Sequence, residues 1–79
     1  MERYKNLSGT SGVAAYELGP DFIKVQFVDG AIYLYTASST GSRQVTQMKT
    51  LARRGRGLST FISTTVRDAY ARKEHHPNH

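Results

Sequence analysis

The stretch from Phe22 to Tyr35 (FIKVQFVDGAIYLY) places the strongest constraint on the fold of this chain. Its first half alternates apolar and polar side chains with a period of two, which is typical of a half-buried β-strand. Asp29-Gly30 then gives a hairpin signal, and the residues after it favour strands. Two antiparallel strands are therefore predicted, Phe22–Val28 and Ala31–Tyr35.

A third strand is predicted before this hairpin. Val13–Leu18 (VAAYEL) is short and compatible with a strand, and it ends at the strong turn signal Gly19-Pro20-Asp21. Three strands are the minimum for a sheet that is stable without further partners. The first half of the chain is therefore predicted to form a three-stranded antiparallel meander.

The second half of the chain has the periodicity of helices. After the polar loop Thr36–Ser42, four apolar residues recur at helical spacing: Val45, Met48, Leu51 and Ala52. Gly55 and Gly57 are predicted to end this helix, because glycine readily adopts the left-handed conformation found there.

A second helix is predicted from the clearest periodic pattern in the chain. Its apolar side consists of Leu58, Phe61, Ile62, Thr65, Val66, Ala69 and Tyr70. Ser59 is a candidate N-cap, and Asp68 and Arg72 have the spacing of a favourable i,i+4 ion pair. The predicted fold class is α+β, in the order βββαα, with both helices packed on one face of the sheet.

The length of 79 residues indicates one domain, which buries about 60–65% of the surface of its unfolded chain. The chain has no cysteine, so disulfides and thiolate metal sites are excluded. We expect an ordered core at about residues 8–72, with a flexible N-terminal segment and a flexible 73–79 tail. Because no apolar run suits a signal peptide or a membrane span, a cytoplasmic protein is expected.

The length of the central turn decides which face of the sheet Tyr33 and Tyr35 occupy. A two-residue turn at Asp29-Gly30 places both tyrosines beside Lys24 on the polar face, where they would form a stacking platform for unpaired bases. A three-residue loop that includes Val28 turns both tyrosines into the core. The residues alone leave both registers open, because a slip of one residue exchanges the two faces.

The succession of these motifs resembles the KTSC domain, a small stand-alone or appended domain named for its occurrence at the C-terminus of some lysyl-tRNA synthetases. The resemblance extends from about Ser8 to Tyr70 and is carried by short, mostly apolar motifs. The residues that carry it are Tyr16, Ile23, Val25, Phe27, Asp29, Gly30, Tyr33, Tyr35, Gly57, Phe61, Ile62, Val66 and Tyr70.

The resemblance implies that Tyr33 and Tyr35 face the core, because the residue between them is commonly polar in that family. This chain departs from the family pattern at Leu34, and it has Arg54 and Arg56 where many members have a serine before the junction glycine. The family implies no established activity, cofactor or catalytic residue. Its link to a tRNA-charging enzyme favours RNA as a partner by analogy.

Charge is distributed unevenly along the chain. Residues 1–40 carry three basic and four acidic side chains, whereas residues 41–79 carry eight basic and two acidic side chains. This asymmetry favours an anionic partner. The candidate phosphate-contacting residues are Arg43, Lys49, Arg53, Arg54, Arg56 and Arg67.

The segment GRGLST, which starts at Gly55, does not have the spacing of a nucleotide-binding loop. A dinucleotide loop follows a strand and needs a third glycine, but a helix is predicted here and Thr60 stands at that position. The glycines are therefore interpreted as a turn between helices. Arg53, Arg54 and Arg56 beside it are predicted to form a phosphate-contacting corner.

No catalytic, cofactor or metal site is predicted. His75, His76 and His79 surround Pro77 at the terminus without acidic residues to orient them. The predicted folded body has no histidine that would activate a serine or threonine hydroxyl.

Two functional hypotheses follow from these features. The first is a non-catalytic accessory domain that binds nucleic acid weakly and with little sequence preference, RNA rather than DNA. The alternative is a protein-interaction or self-association module that uses Val28, Ile32 and Leu34 on the outer sheet face together with an exposed edge strand. No contact with a membrane is expected.

Overall fold

The computed structural model describes residues 1–7, 9 and 11–74, which form an α+β fold. The strands form one antiparallel sheet in sequential order: β1 (Glu2–Arg3), β2 (Val13–Leu18), β3 (Phe22–Phe27), β4 (Ile32–Thr36) and β5 (Arg72–Glu74). The helices are α1 (Ala37–Thr40), α2 (Ser42–Arg54) and α3 (Leu58–Phe61), and α3 continues directly into a π-helical segment, Ile62–Val66. Among the described residues, no helix has the length and apolarity that crossing a membrane requires.

The central hairpin has the three-residue turn. The Phe27 N–H donates to the Ala31 carbonyl at 2.9 Å, and Gly30 has the positive φ of 95° that this turn needs. Tyr35 is therefore on the inner face, where it is 1% exposed, and Tyr33 lies half-buried on the same face. The inward orientation that the family resemblance implied is confirmed.

The sheet is wider than the predicted three-stranded meander, because β1 pairs with β2 and β5 pairs with β4. These added strands, ER and RKE, are two and three residues long and have no apolar alternation for a sequence pattern to reveal. The folded unit thus begins before Ser8 and includes Lys73 and Glu74, beyond the boundaries expected from the sequence. The rest of the predicted tail, residues 75–79, lies outside the described residues.

The N-terminal segment is part of the core. Tyr4 is 3% exposed, and its hydroxyl accepts a hydrogen bond of 3.3 Å from the Leu58 N–H at the start of α3. The Leu7 N–H donates to the Gly55 carbonyl at 2.7 Å. The segment therefore fastens the sheet to the turn between α2 and α3.

Helix α2 follows the sequence pattern. It buries Val45, Met48 and Ala52 and ends at Gly55, whose φ of 83° is left-handed. The polar loop before it is more ordered than predicted, because Thr36 and Ser39 form a capping box that starts the short helix α1.

The final helix ends at Val66, so the prediction of one helix as far as Tyr70 is wrong. The Arg67 N–H donates to the Ile62 carbonyl, five residues earlier, which defines a π-helical turn. The hydroxyls of Ser63 and Thr64 both donate to the Thr60 carbonyl and compete with the backbone for it. The wider turn leaves Thr65 exposed, although the α-helical period had placed it in the core.

Two finer features of that helix also differ from the prediction. Helix α3 starts at Leu58 with no side-chain cap, so Ser59 is not its N-cap. Since the helix has ended before Asp68, this residue and Arg72 cannot pair across a helical turn. The Nε of Arg72 instead lies 3.3 Å from the Oε2 of Glu74.

The core lies between the helices and the inner face of the sheet. The sheet contributes Val13, Tyr16, Ile23, Val25 and Tyr35, and the helical layer contributes Val45, Met48, Ala52, Leu58, Ile62 and Val66. On the outer face, Lys24, Gln26, Ile32 and Leu34 are only half-buried.

Candidate nucleic-acid interface

The turn between α2 and α3 brings three of the predicted residues together. Arg53 and Arg54 form the last turn of α2, and Arg56 stands between two left-handed glycines, Gly55 and Gly57. All three arginine side chains are exposed. The turn therefore presents three guanidinium groups from a stretch of four residues at one corner of the molecule.

Lys5 joins this corner through the tertiary structure. The Cβ atom of an alanine at position 55 would lie 2.6 Å from the Lys5 Cβ, so the Lys5 stem packs directly on Gly55. Lys5 itself is exposed. Lys5 was not predicted to lie here, because the N-terminal segment has no periodic pattern and the aromatic Tyr4 is its one sign of burial. We call Lys5, Arg53, Arg54 and Arg56 the basic corner.

The electrostatic surroundings of the basic corner are almost entirely positive or neutral. No acidic residue occurs between Asp29 and Asp68 in the sequence. Within the described part of the chain, the corner residues form no ion pair. These cations are therefore available to an external anion.

Glu2 is the acidic residue that comes near the basic corner, through Tyr16. Burial and Glu2 raise the pKa of Tyr16, whereas Arg53 lowers it, so both charged groups lie close to this ring. The carboxylate of Glu2 belongs to β1 at the edge of the sheet, and within the described part of the chain Arg54 and Arg56 form no ion pair with an acidic residue.

Arg43 extends the positive surface along α2. It lies eleven residues before Arg54, which places it on the same side of the helix at a distance of about 16 Å along the axis. Gln47 and Thr50 are exposed between them on that side. The exposed face of α2 is thus positive at both ends and neutral in the middle.

Lys49 is held in a structural contact. Its ammonium donates to the carbonyls of Gly19 at 2.5 Å and Pro20 at 3.2 Å. These bonds connect α2 to the turn between β2 and β3. Of the six predicted phosphate-contacting residues, Lys49 is therefore the one already engaged by the protein backbone.

Arg67 lies at the opposite end of the α3 and π-helical segment from the basic corner. The nine residues from Leu58 to Val66 separate the two, or about 13 Å of helix. Arg67 is exposed and has an unusual backbone conformation, with φ of 42° and ψ of −113°. It therefore belongs to a different part of the surface.

The arrangement suits electrostatic recognition of an anion. Among residues 1–7, 9 and 11–74, no group of three or more histidine, cysteine or acidic side chains could hold a metal ion. The three histidines considered in the sequence lie outside the described residues. Guanidinium and ammonium groups that are exposed and clustered are the typical means of contacting phosphates.

These features define a small α+β domain with a cationic corner. In comparisons with protein-family models, with curated proteins and with solved structures, the chain matches none of them. Membership of the KTSC family therefore stays a prediction that rests on the residues of the chain.

Proposed function

We propose that this chain is a non-catalytic accessory domain, similar to the KTSC domain, that binds single-stranded RNA through its phosphate backbone. The observation that carries this proposal is the basic corner: Lys5, Arg53, Arg54 and Arg56 are exposed together without an ion-pair partner among the described residues. Arg43 adds a fifth cation on the same side of α2 as Arg54.

The proposed contacts position the RNA but do not read its sequence. Arginine donates two parallel hydrogen bonds to a phosphate, while lysine acts as a compact point charge. Contacts of this kind give non-specific binding with a Kd on the order of 10⁻⁴–10⁻⁶ M at physiological salt. RNA is favoured over DNA by the analogy with the tRNA-charging enzymes that carry the KTSC domain.

Charge variants test this proposal directly. Arg54→Gln and Arg56→Gln, made singly and together, should weaken binding of a fluorescent single-stranded RNA octamer, measured by anisotropy at low salt. Lys24→Gln is the matched control, because it removes the same charge from the outer sheet face. A single-stranded DNA octamer of the same sequence tests the preference for RNA.

The proposal predicts a loss of affinity for the corner variants and little change for Lys24→Gln. Equal losses for both would mean that only net charge matters, and no loss for the double variant would overturn the proposed interface. Circular dichroism of each variant separates weakened binding from loss of the fold.

The second candidate, self-association through the outer sheet face, is favoured by one observation. Ile32 and Leu34 lie half-buried on that face, whereas Val28, which the sequence grouped with them, is 74% exposed in the hairpin turn. The edge of β4 is not free for a partner strand, however, because β5 occupies it. Light scattering at high concentration tests this candidate: a dimer that Leu34→Lys disrupts would support it, and a monomer in both forms would exclude it.

A further inference from the structure

An aromatic groove opens at the end of the helical layer that is remote from the basic corner. It has a volume of about 610 Å³ and lies between the inner face of the sheet and the end of the π-helical segment. Its aromatic side chains are Phe27, Tyr33, Tyr35 and Tyr70, and Arg67 and Asp68 stand among its polar residues. A volume of this size lies within the range of sites that hold small organic ligands.

The rings in the groove are arranged around Tyr33. Tyr70 packs edge-to-face against it with ring centroids 4.8 Å apart, and Phe27 does so at 5.4 Å. Rings at right angles present both a face and an edge to the space between them. A planar ring that entered could stack on one ring and meet the edge of another.

Tyr35 provides a polar group at the floor of the groove. Tyr35 as a whole is 1% exposed, and its hydroxyl has no hydrogen-bond partner in the described part of the chain. Every fully buried side-chain nitrogen or oxygen in that part does have a partner, so the Tyr35 hydroxyl is not fully buried. The hydroxyl must therefore reach the groove. Burial, followed by the nearby Tyr33 and Tyr70, raises the pKa of Tyr35, so the hydroxyl stays protonated and able to donate.

Arg67 occupies a backbone position that normally requires glycine. Its φ of 42° and ψ of −113°, together with the hydrogen bond of 2.7 Å from the Ala69 N–H to the Val66 carbonyl, form a type II′ turn with Arg67 at the second position. Non-glycine residues in such strained conformations cluster at functional sites. The strained turn therefore indicates a functional role for Arg67 at the groove.

The charges around the groove select the kind of ligand. Arg67 stands at the groove, and the Nζ of Lys73 lies 5.3 Å from the centre of the Tyr33 ring. Asp29 and Asp68 also line the groove and offset these two cations, so the groove suits a neutral aromatic ring, with Arg67 able to contact an anion attached to it. The exposed hydroxyl residues Thr60, Ser63 and Thr64 separate the groove from the basic corner without introducing an acid.

We propose that the groove receives one nucleobase of the bound RNA strand, stacked among Phe27, Tyr33 and Tyr70, with Arg67 on the adjoining phosphate. This inference rests on the proposed function and adds a base-binding position to a surface that otherwise contacts only phosphates. Stacking on aromatic side chains tolerates any base, because every base has a π-face.

The test is an NMR titration that follows the ring protons of Tyr33 and Tyr70 and the backbone amides of Arg54 and Arg56. The probes are an adenosine octamer, inorganic polyphosphate as a polyanion without bases, and choline as a small cation. The proposal predicts that the octamer shifts both the rings and the corner amides. Polyphosphate should shift the corner amides alone, and choline neither.

The outcomes separate the two proposals. If the octamer and polyphosphate both shift the corner amides and leave the rings unchanged, the groove proposal is overturned and the proposed function stands. If neither probe shifts any resonance, both fail. Rings that respond to choline and not to the octamer would make the groove a cation site, which also overturns this inference.

Variants of the groove give an independent readout. Tyr70→Leu keeps the apolar bulk and removes the π-face, and Arg67→Gly removes the guanidinium while relieving the backbone. Each should weaken octamer binding severalfold. Tyr70→Leu, which keeps every cation, should leave polyphosphate binding within twofold of the wild type. Unchanged octamer binding by both variants, with the fold intact by circular dichroism, would contradict the proposal.

Discussion

At the scale of single residues, Tyr4 links the N-terminal segment to the helical layer. Its hydroxyl accepts from the buried Leu58 N–H, a first-turn donor that has no partner within the helix. Tyr4→Phe should lower the free energy of unfolding by about 1–2 kcal/mol, because it leaves that donor unpaired. Urea denaturation measures the change.

Tyr33→Phe is the matched control for Tyr4→Phe. Its hydroxyl has no hydrogen-bond partner within the described residues, so its removal should change stability by less than about 0.5 kcal/mol. Equal losses for the two variants would show that the bond to Leu58 contributes nothing specific.

Arg67 is the residue whose replacement should stabilise the fold. Its strained conformation costs roughly 1–3 kcal/mol. Arg67→Gly relieves that strain and costs about 0.4–1 kcal/mol through the freer unfolded chain. We expect a net gain of about 1 kcal/mol by urea denaturation. Arg67→Ala keeps the Cβ atom and the strain, so a similar gain from alanine would argue against this origin.

Tyr35 makes stability depend on alkaline pH. Burial raises its pKa in the folded state above the ordinary value of 10.0, so the folded protein keeps a proton that the unfolded chain loses. The contribution of Tyr35 to the free energy of unfolding is fully present below pH 10. It falls as pH rises above 10, by up to about 1.4 kcal/mol per pH unit. Denaturation between pH 8 and 11 measures this slope, and Tyr35→Phe should reduce it. An unchanged slope in that variant would exclude Tyr35 as the source.

At the scale of elements, Lys49 connects α2 to the turn between β2 and β3. Lys49→Met removes the hydrogen bonds to the Gly19 and Pro20 carbonyls, and we expect a loss of about 1 kcal/mol because the site is partly exposed. Affinity for RNA should stay within twofold of the wild type. A larger loss of affinity in the folded variant would show that Lys49 also contributes to RNA binding.

Some of the elements could be predicted from local sequence patterns and others could not. The central hairpin and α2 were predictable, because their apolar periods and their glycines agree on one structure. The hairpin register was not fixed by the residues alone, since Asp29-Gly30 suits two turn lengths; the family resemblance favoured the one observed.

The sequence pattern predicted too long a final helix, and the reason is physical. Leu58, Ile62 and Val66 stay buried in the π-helical path, and Tyr70 reaches the core after the turn, so most of the α-helical period is satisfied without a continuous helix. The run Ser63-Thr64-Thr65 was the available warning, because hydroxyls that bind earlier carbonyls disturb helices. The edge strands β1 and β5 could not be predicted from local sequence, since only the tertiary fold brings them to the sheet.

At the scale of the whole molecule, the charge asymmetry of the sequence becomes an asymmetry between layers. All six acidic residues lie on strands or in turns and loops outside the helices. The helical layer and the turn within it carry Arg43, Lys49, Arg53, Arg54 and Arg56. The uneven charge was therefore visible in the sequence. The structure adds Lys5 to the basic corner from the other end of the chain and holds Lys49 in hydrogen bonds to backbone carbonyls.

The salt dependence of RNA binding tests the central claim most directly. If Lys5, Arg43, Arg53, Arg54 and Arg56 each neutralise one phosphate of a single strand, a plot of log K against log salt should have a slope of about −3.5. The triple variant Arg53→Gln, Arg54→Gln and Arg56→Gln should reduce the slope to about −1.4. A wild-type affinity that does not change with salt, or an unchanged slope in the folded triple variant, would contradict the account.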